Sequence, residues 1–85
     1  MKEKDDLLVL FGEQLKNFRK DRNISQEELA FLAELDRTYI SGLECGKRNP
    51  TLKILVKLAI SLNMSPSELL KNLHSITEDL YAKDK

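Results

Sequence analysis

The apolar positions along the chain repeat with the period of an α-helix rather than that of a β-strand. Phe11, Leu15 and Phe18 are spaced at i, i+4 and i+7, which places them on one stripe of a helix. Long stretches lack glycine and proline, and no segment alternates Val, Ile or Thr with polar residues. The pattern therefore predicts an all-α fold of five short helices.

Capping residues mark where these helices begin and end. Four polar residues stand at the predicted N-caps: Ser25, Asp36, Thr51 and Ser65. Glu28 and Glu68 follow two of them at the spacing of a capping box, and Gly46 has the C′ position that ends the third helix. The predicted helices cover about 7–21, 26–33, 37–45, 52–62 and 66 to at least 73. Only a tight turn separates the second helix from the third, which is the layout of a helix-turn-helix.

The third helix has a small and nearly uncharged outer side. Ile40 and Leu43 share one face, which we expect to be buried. Arg37 and Tyr39 stand at the two edges of the opposite side. Small residues fill that side: Thr38, Ser41, Gly42 and Cys45.

Gly42 raises the question of what this outer side contacts. A glycine inside a helix costs about 1 kcal/mol relative to alanine, and close approach to another surface would offset that cost. The major groove of B-DNA, about 12 Å wide, admits one helix, but another protein helix could also pack there. Arg37 and Thr38 at the start of the helix, and the basic loop at Lys47 and Arg48, favour DNA.

Acidic and basic residues are segregated along the chain, although 14 Lys and Arg balance 14 Asp and Glu. Residues 25–36 contain four acids and no base. Residues 37–57 contain one acid, Glu44, and five bases. Those bases are Arg37, Lys47, Arg48, Lys53 and Lys57. One surface can therefore be positive in a chain of zero net charge.

The composition excludes several other classes of protein. The 85 residues suffice for one domain, and no apolar run is long enough to span a bilayer. The single cysteine, Cys45, permits no internal disulfide and suits a reducing cytosol. With the single histidine, His74, it cannot complete a zinc site within one chain. Since no catalytic triad or carboxylate pair is recognisable, we expect no enzyme, no metal and no cofactor.

The segment from Ile24 to Leu70 resembles a known family. It contains S-Q-E-E-L-A, then I-S-x-L-E-x-G-x-R-x-P, then L-x-x-L-A-x-x-L, then S-x-x-E-L-L. These motifs are similar to those of the Cro/C1-type, or xenobiotic-response-element, helix-turn-helix regulators of bacteria and phages. Within that family, LDRTYISGLECGKRNPTLK most closely resembles the controller proteins of restriction-modification systems.

The resemblance implies a lambda-repressor-like fold and a homodimer that binds a double-stranded DNA operator. Its third helix would enter the major groove, and the protein would regulate its own restriction-modification operon from the bacterial or phage-infected cytoplasm, at the nucleoid. No small-molecule ligand is expected, since no sensor domain accompanies the motif.

The resemblance also assigns roles to residues. Gln26 matches a phosphate contact, and Tyr39 a position near the sugar-phosphate backbone. Three residues match groove-facing positions: Arg37, Thr38 and Ser41. The loop that follows would meet DNA through Arg48 and Asn49. Lys47 is assigned to DNA as well, because with Arg48 it makes this loop basic. Arg19 and Glu44 match an ion pair that joins the first helix to the third.

Two positions depart from the family pattern. Glu34 occupies the turn where a glycine is common, so the sequence does not determine the backbone geometry of this turn. Gly42 stands where some relatives place a long base-reading side chain, so fewer residues would read bases here. The shape of the DNA would then contribute more to specificity.

Surplus apolar positions in the last two helices predict an isologous homodimer. A five-helix domain of this size has little room for two apolar stripes on the fourth helix. The expected interface residues are Ile54, Leu58, Leu69, Leu73, Ile76 and Leu80. The DNA-binding domain would cover 1–74, and 75–85 would extend the fifth helix, form a separate helix or fray.

An alternative function remains open from the sequence. The same fold could serve as an antitoxin-like or adaptor module that binds proteins instead of DNA, because a fold does not fix a function. The zero net charge slightly favours this alternative. An acidic or apolar surface around the third helix would support it, and a basic one would oppose it.

Overall fold

The computed structural model describes residues 6–73, and within this range all regular secondary structure is helical, with no strand. Its helices are α1 (Asp6–Asp21), α2 (Gln26–Ala33), α3 (Arg37–Glu44), α4 (Leu52–Ser61) and α5 (Pro66–Leu69), followed by a 3₁₀ turn (Lys71–Leu73). The prediction of an all-α, five-helix fold is confirmed. None of the helices between residues 6 and 73 is long and apolar enough to cross a membrane.

The predicted caps form at three of the four helix starts. Ser25 Oγ accepts from the backbone N–H of Glu28 at 3.0 Å, and Glu28 Oε1 accepts from the backbone N–H of Ser25 at 2.8 Å. Ser65 and Glu68 form the same capping box at the start of α5. At the start of α4, Thr51 Oγ1 accepts from the backbone N–H of Ile54. These bonds satisfy amide groups that have no partner inside the helix.

Asp36 is the exception, since its side chain makes no cap hydrogen bond. The helix still begins at Arg37, as predicted. The turn before it is fixed instead by the backbone: Leu35 N–H donates to Ala30 O at 2.8 Å and Glu34 N–H to Phe31 O at 3.2 Å.

Glu34 adopts the left-handed conformation, with φ of 59°. Glycine usually adopts this conformation after a helix, because any residue with a Cβ atom is sterically strained in it. The turn between α2 and α3 therefore keeps the geometry of a helix-turn-helix although it lacks the glycine.

The core lies where the five α-helices and the C-terminal 3₁₀ turn meet. On α1, Phe11 and Leu15 are buried, as predicted from their spacing. On α2, Leu29, Ala30 and Ala33 are buried, while Leu32 is 53% exposed. The buried hydrophobic set is Phe11, Leu15, Leu29, Ala30, Ala33, Ile40, Leu43, Leu58, Ala59, Leu62, Leu69 and Leu73.

The structure corrects the predicted interface at Leu58, Leu69 and Leu73. Leu58 has no exposed surface, and Leu69 and Leu73 are 1% and 8% exposed, so all three pack inside their own chain. The reason is that α4 packs against α2 and α5 together. Its adjacent positions Leu58 and Ala59 are both enclosed, so one chain buries apolar residues on more than one side of α4. Ile54 is half-buried against the same core.

Other residues of α4 remain exposed. Leu52, Val56 and Ile60 are 77%, 37% and 70% exposed and follow one another at four-residue spacing. They form one apolar face on the side of α4 that does not pack against α2 and α5. We call these three residues the outer face of α4.

The fifth helix is shorter than predicted. It ends at Leu69, and Leu70 has φ of −102° and ψ of 2°, outside the helical range. The 3₁₀ turn that follows brings Leu73 back to the core. His74, Ile76, Leu80 and the predicted segment 75–85 lie outside the described residues, as does the boundary predicted at 74.

Candidate nucleic-acid interface

Helix α3 is seated on the core through its inner face. Ile40 and Leu43 have no exposed surface, as the sequence predicted. Gly12 of α1 lies directly beneath, where a Cβ atom would come within 2.3 Å of Leu43 O and 2.7 Å of Glu44 O. Two helix backbones therefore touch at this point, and no side chain fits between them.

A buried ion pair fixes the end of α3 to α1. Arg19 Nε donates to Glu44 Oε2 at 2.6 Å and Arg19 Nη2 to Glu44 Oε1 at 3.0 Å, with the two side chains 9% and 3% exposed. Arg19 Nη1 also donates to Ile24 O at 2.8 Å. The hydrogen bond to Glu44 raises the pKa of the Arg19 guanidinium. The predicted pair is confirmed: it joins α1 to α3, and the bond from Arg19 to Ile24 O also holds the loop between α1 and α2.

The ion pair continues outward through two more side chains. Gln26 Nε2 donates to Glu44 Oε1 at 3.0 Å. Arg37 Nη1 donates to Gln26 Oε1 at 3.0 Å. A chain of four side chains thus runs from the core to the exposed start of α3. The predicted contact residues Gln26 and Arg37 are brought together by a hydrogen bond that no sequence pattern indicated.

The outer side of α3 stays accessible. Arg37, Thr38 and Cys45 are exposed, while Ser41 and Gly42 are half-buried. No other helix between residues 6 and 73 covers this side, because α3 packs against α1 and α2 from within. The possibility that this small face packs on another helix of the chain is therefore excluded for the described residues.

Arg48 occupies the space above Gly42. A Cβ atom at Gly42 would lie 2.8 Å from Arg48 Cγ. The Arg48 guanidinium lies over the ring of Tyr39, 5.6 Å from its centroid, in the geometry of a cation–π contact. The space next to Gly42 is therefore filled by Arg48 of the same chain, and close approach of DNA at Gly42 stays a prediction.

The backbone conformation of Gly46 sets the direction in which the chain leaves α3. Gly46 has φ of 74°, and a Cβ there would come within 2.9 Å of Val9, so glycine is required on both counts. Lys47 N–H donates to Gly42 O at 2.9 Å, which ties the loop back to the helix. The side chains of Lys47 and Asn49 are exposed beside the stacked Arg48.

The arrangement presents cations and small polar groups on the exposed surface of α3 and the loop after it. Between residues 6 and 73, no group of three His, Cys, Asp or Glu side chains could hold a metal ion. Every buried side-chain nitrogen or oxygen in that range has a hydrogen-bond partner. Exposed guanidinium groups next to a seated helix suit binding to phosphates and base edges.

Comparison with known proteins agrees with this geometry. A helix-turn-helix family model matches residues 15–69. The control protein C.MunI of a Mycoplasma species is 41% identical over 70 residues, covering 81% of this chain and 95% of its own length. The control protein C.BamHI of Bacillus amyloliquefaciens is 40% identical over 67 residues, covering 78% of this chain and 83% of its own.

Solved structures show the same fold. The restriction-modification controller protein C.AhdI from Aeromonas hydrophila superposes with a TM-score of 0.72 at 48% identity, over 73% of this chain and 94% of its own. The controller protein C.Esp1396I, crystallised as a tetramer with its natural 35 base-pair operator, gives a TM-score of 0.76 at 35% identity, over 85% of this chain and 95% of its own. The chain belongs to the Cro/C1-type helix-turn-helix family and, within it, to the restriction-modification control proteins.

Proposed function

We propose that this protein is a transcription regulator that binds a double-stranded DNA operator as a homodimer, with α3 in the major groove. One observation carries the proposal. The buried inner face of α3 leaves Arg37, Thr38 and Ser41 on the outer side, beside Arg48. A seated helix with cations at its start and at its end meets the requirements of groove insertion.

The contacts divide into two kinds. Arg37 and Thr38, at the start of the helix, and Ser41 one turn later, are assigned to base edges. Phosphate contacts are assigned to Lys47, Arg48 and Asn49, and a sugar-phosphate contact to Tyr39. Gln26 retains one amide N–H beyond its bond to Glu44, and that group is assigned to a phosphate.

The regulated genes are inferred from the relatives. C.MunI, C.BamHI and C.AhdI are control proteins of restriction-modification systems, and C.Esp1396I has been crystallised on its operator. We infer that this chain regulates such an operon, its own gene included, in the bacterial cytoplasm at the nucleoid. It would act by occupying DNA and would catalyse no reaction.

The dimer is assigned to the outer face of α4. Leu52, Val56 and Ile60 are the apolar residues of α4 that the chain itself leaves exposed, and a two-fold partner would cover them. An Ile60→Lys variant is expected to sediment as a monomer at concentrations where the wild type is a dimer. An unchanged sedimentation coefficient would remove this face from the interface.

The adaptor alternative receives no support from the surface around α3. Among the exposed side chains of residues 36–49, the cations Arg37, Lys47 and Arg48 outnumber the single acid, Asp36, so this surface is neither acidic nor apolar. A protein partner selected by this face would itself need to be acidic, as DNA is.

The test compares DNA duplexes. Fluorescence anisotropy measures the affinity for the fragment upstream of the gene and for a scrambled duplex of equal length and composition, across a salt series. Replacing Arg37 by Ala should cost about 1–3 kcal/mol on the operator if Arg37 contacts a guanine. Lys71→Ala, in the 3₁₀ turn, removes the same charge and serves as the control. Equal wild-type affinity for both duplexes would reject sequence-specific regulation.

A further inference from the structure

We propose that Glu44 is a positioning residue for DNA recognition, because through Gln26 it sets the orientation of the Arg37 guanidinium. The inference rests on the proposed function, since it concerns how the same helix recognises bases. It assigns to a buried core carboxylate a role in selectivity beyond holding α1 and α3 together.

The first step is the direction of the Gln26 amide. Glu44 Oε1 receives N–H groups from Arg19 and from Gln26, both at 3.0 Å. An ionised carboxylate only accepts hydrogen bonds, so the amide nitrogen of Gln26 must face inward. The amide oxygen must then face outward. Glu44 therefore decides which end of the Gln26 side chain the surface presents.

The second step is the effect on Arg37. Its Nη1 group donates to the outward Gln26 oxygen at 3.0 Å. Arg37 is exposed, and an arginine without a partner would sample many rotamers. With one end of its guanidinium held, the remaining N–H groups stay available to a base edge. A bidentate contact to guanine needs two of them in a fixed plane.

The bond from Gln26 distinguishes a positioning role of Glu44 from a purely structural one. The ion pair already joins α1 to α3 through two hydrogen bonds from Arg19. The bond from Gln26 adds nothing to that connection, and it leads away from the core toward the start of α3. A residue with a purely structural role would affect stability and all DNA sequences alike.

The test measures discrimination, defined as the ratio of the dissociation constants for the scrambled and operator duplexes. Glu44→Gln keeps the size of the side chain but offers an N–H group to Gln26, whose amide can then turn its nitrogen toward Arg37. Discrimination should fall about tenfold. Glu27→Gln, an exposed carboxylate on α2, makes the same change in net charge and should leave discrimination unchanged.

A double-mutant cycle identifies the route. Gln26→Leu removes the intermediate link, so Glu44→Gln should cause no further loss of discrimination in that background. An equal loss in both backgrounds overturns the proposal. If Glu44→Gln does not fold by circular dichroism, Gln26→Leu alone decides. A greater loss on the operator supports positioning, and an equal loss on both duplexes indicates only a phosphate contact and overturns it.

A measurement without DNA separates the inference from the proposed function. In the free protein, NMR relaxation of the Arg37 Nε–Hε group should show an ordered side chain in the wild type and a mobile one in Gln26→Leu and Glu44→Gln. Unchanged mobility overturns the positioning role even if the operator is bound. An ordered wild-type Arg37 in a protein that does not distinguish the duplexes overturns the proposed function and leaves the positioning geometry intact.

Discussion

Two glycines lie on opposite sides of α3, and their neighbours differ. Gly12 of α1 lies against the inner side of α3, and Gly42 is on its outer side. At Gly12 the neighbours of an added Cβ are backbone atoms, Leu43 O at 2.3 Å and Glu44 O at 2.7 Å. At Gly42 the neighbour is the flexible side chain of Arg48, at 2.8 Å. The inner side of the helix is therefore fixed by main chain, whereas its outer side is covered by a side chain that can move.

This difference shows how one short helix can have a rigid inner side and an adaptable outer side. The inner side also contains the buried Arg19–Glu44 pair, while the outer side contains the stacked Arg48 and the exposed Arg37. Changes on the inner side should alter mainly stability, with Glu44 acting on binding as well through Gln26, and changes on the outer side should alter binding. Each of the following predictions tests that division.

The largest effect is expected at the buried pair. Arg19→Met would leave the Glu44 carboxylate, 3% exposed, without its counter-charge. The free energy of unfolding in urea should fall by about 3–5 kcal/mol. The double variant Arg19→Met with Glu44→Leu should recover most of this loss, because no unpaired charge remains. A single variant as stable as wild type would show that the inner side is not fixed by this pair.

The two glycines provide the next comparison. Gly12→Ala should lower the free energy of unfolding by about 1–3 kcal/mol, because α1 and α3 must move apart. Gly42→Ala should be neutral or stabilising by up to about 1 kcal/mol, because alanine favours helix and Arg48 can move aside. Gly42→Ala should nevertheless weaken DNA binding, since Arg48 loses its place over Tyr39. Equal losses of stability at both sites would contradict the comparison.

Arg48 tests the outer side directly. Arg48→Ala should change the free energy of unfolding by no more than about 0.5 kcal/mol. Its affinity should fall by a similar factor for operator and scrambled duplexes, and the salt dependence of binding should decrease by about one phosphate contact. Thermal unfolding and anisotropy titrations measure the two quantities. A loss confined to the operator would reassign Arg48 from phosphates to bases.

The smallest effect is expected away from both sides of α3, at the capping box of α5. Hydrogen bonds from the backbone N–H and then the hydroxyl of Ser65 lower the pKa of Glu68. A carboxyl whose pKa is lowered in the folded state adds stability above its unfolded pKa and loses it as the pH falls through the folded value. Glu68→Gln should therefore be less stable than wild type near neutral pH, with a difference that disappears in acid.

The sequence predicted the helices well because their signals are local. A capping box depends on residues three apart, and the boundaries of α2 at Gln26 and Ala33 agree with the structure. The Arg19–Glu44 pair, separated by 25 positions, came only from the family resemblance. The DNA-contacting roles of the individual residues stay predictions.

Other features depend on tertiary packing and could not be predicted. The burial of Leu58 follows from α4 lying between α2 and α5, which no local pattern encodes. The stacking of Arg48 on Tyr39 joins residues from a loop and a helix, and it gives Gly42 a neighbour that periodicity cannot indicate. Glu34 keeps a glycine-like φ because the backbone bonds around it outweigh its own preference.

The eight-residue length of α3 has a consequence for how much sequence one subunit can specify. At 1.5 Å per residue the helix is about 12 Å long, which corresponds to about four base pairs at 3.4 Å each. A given sequence of four base pairs recurs throughout any genome. Selection of a single promoter therefore requires several such sites at a set spacing. The selectivity for an operator belongs to the assembled oligomer and not to one subunit.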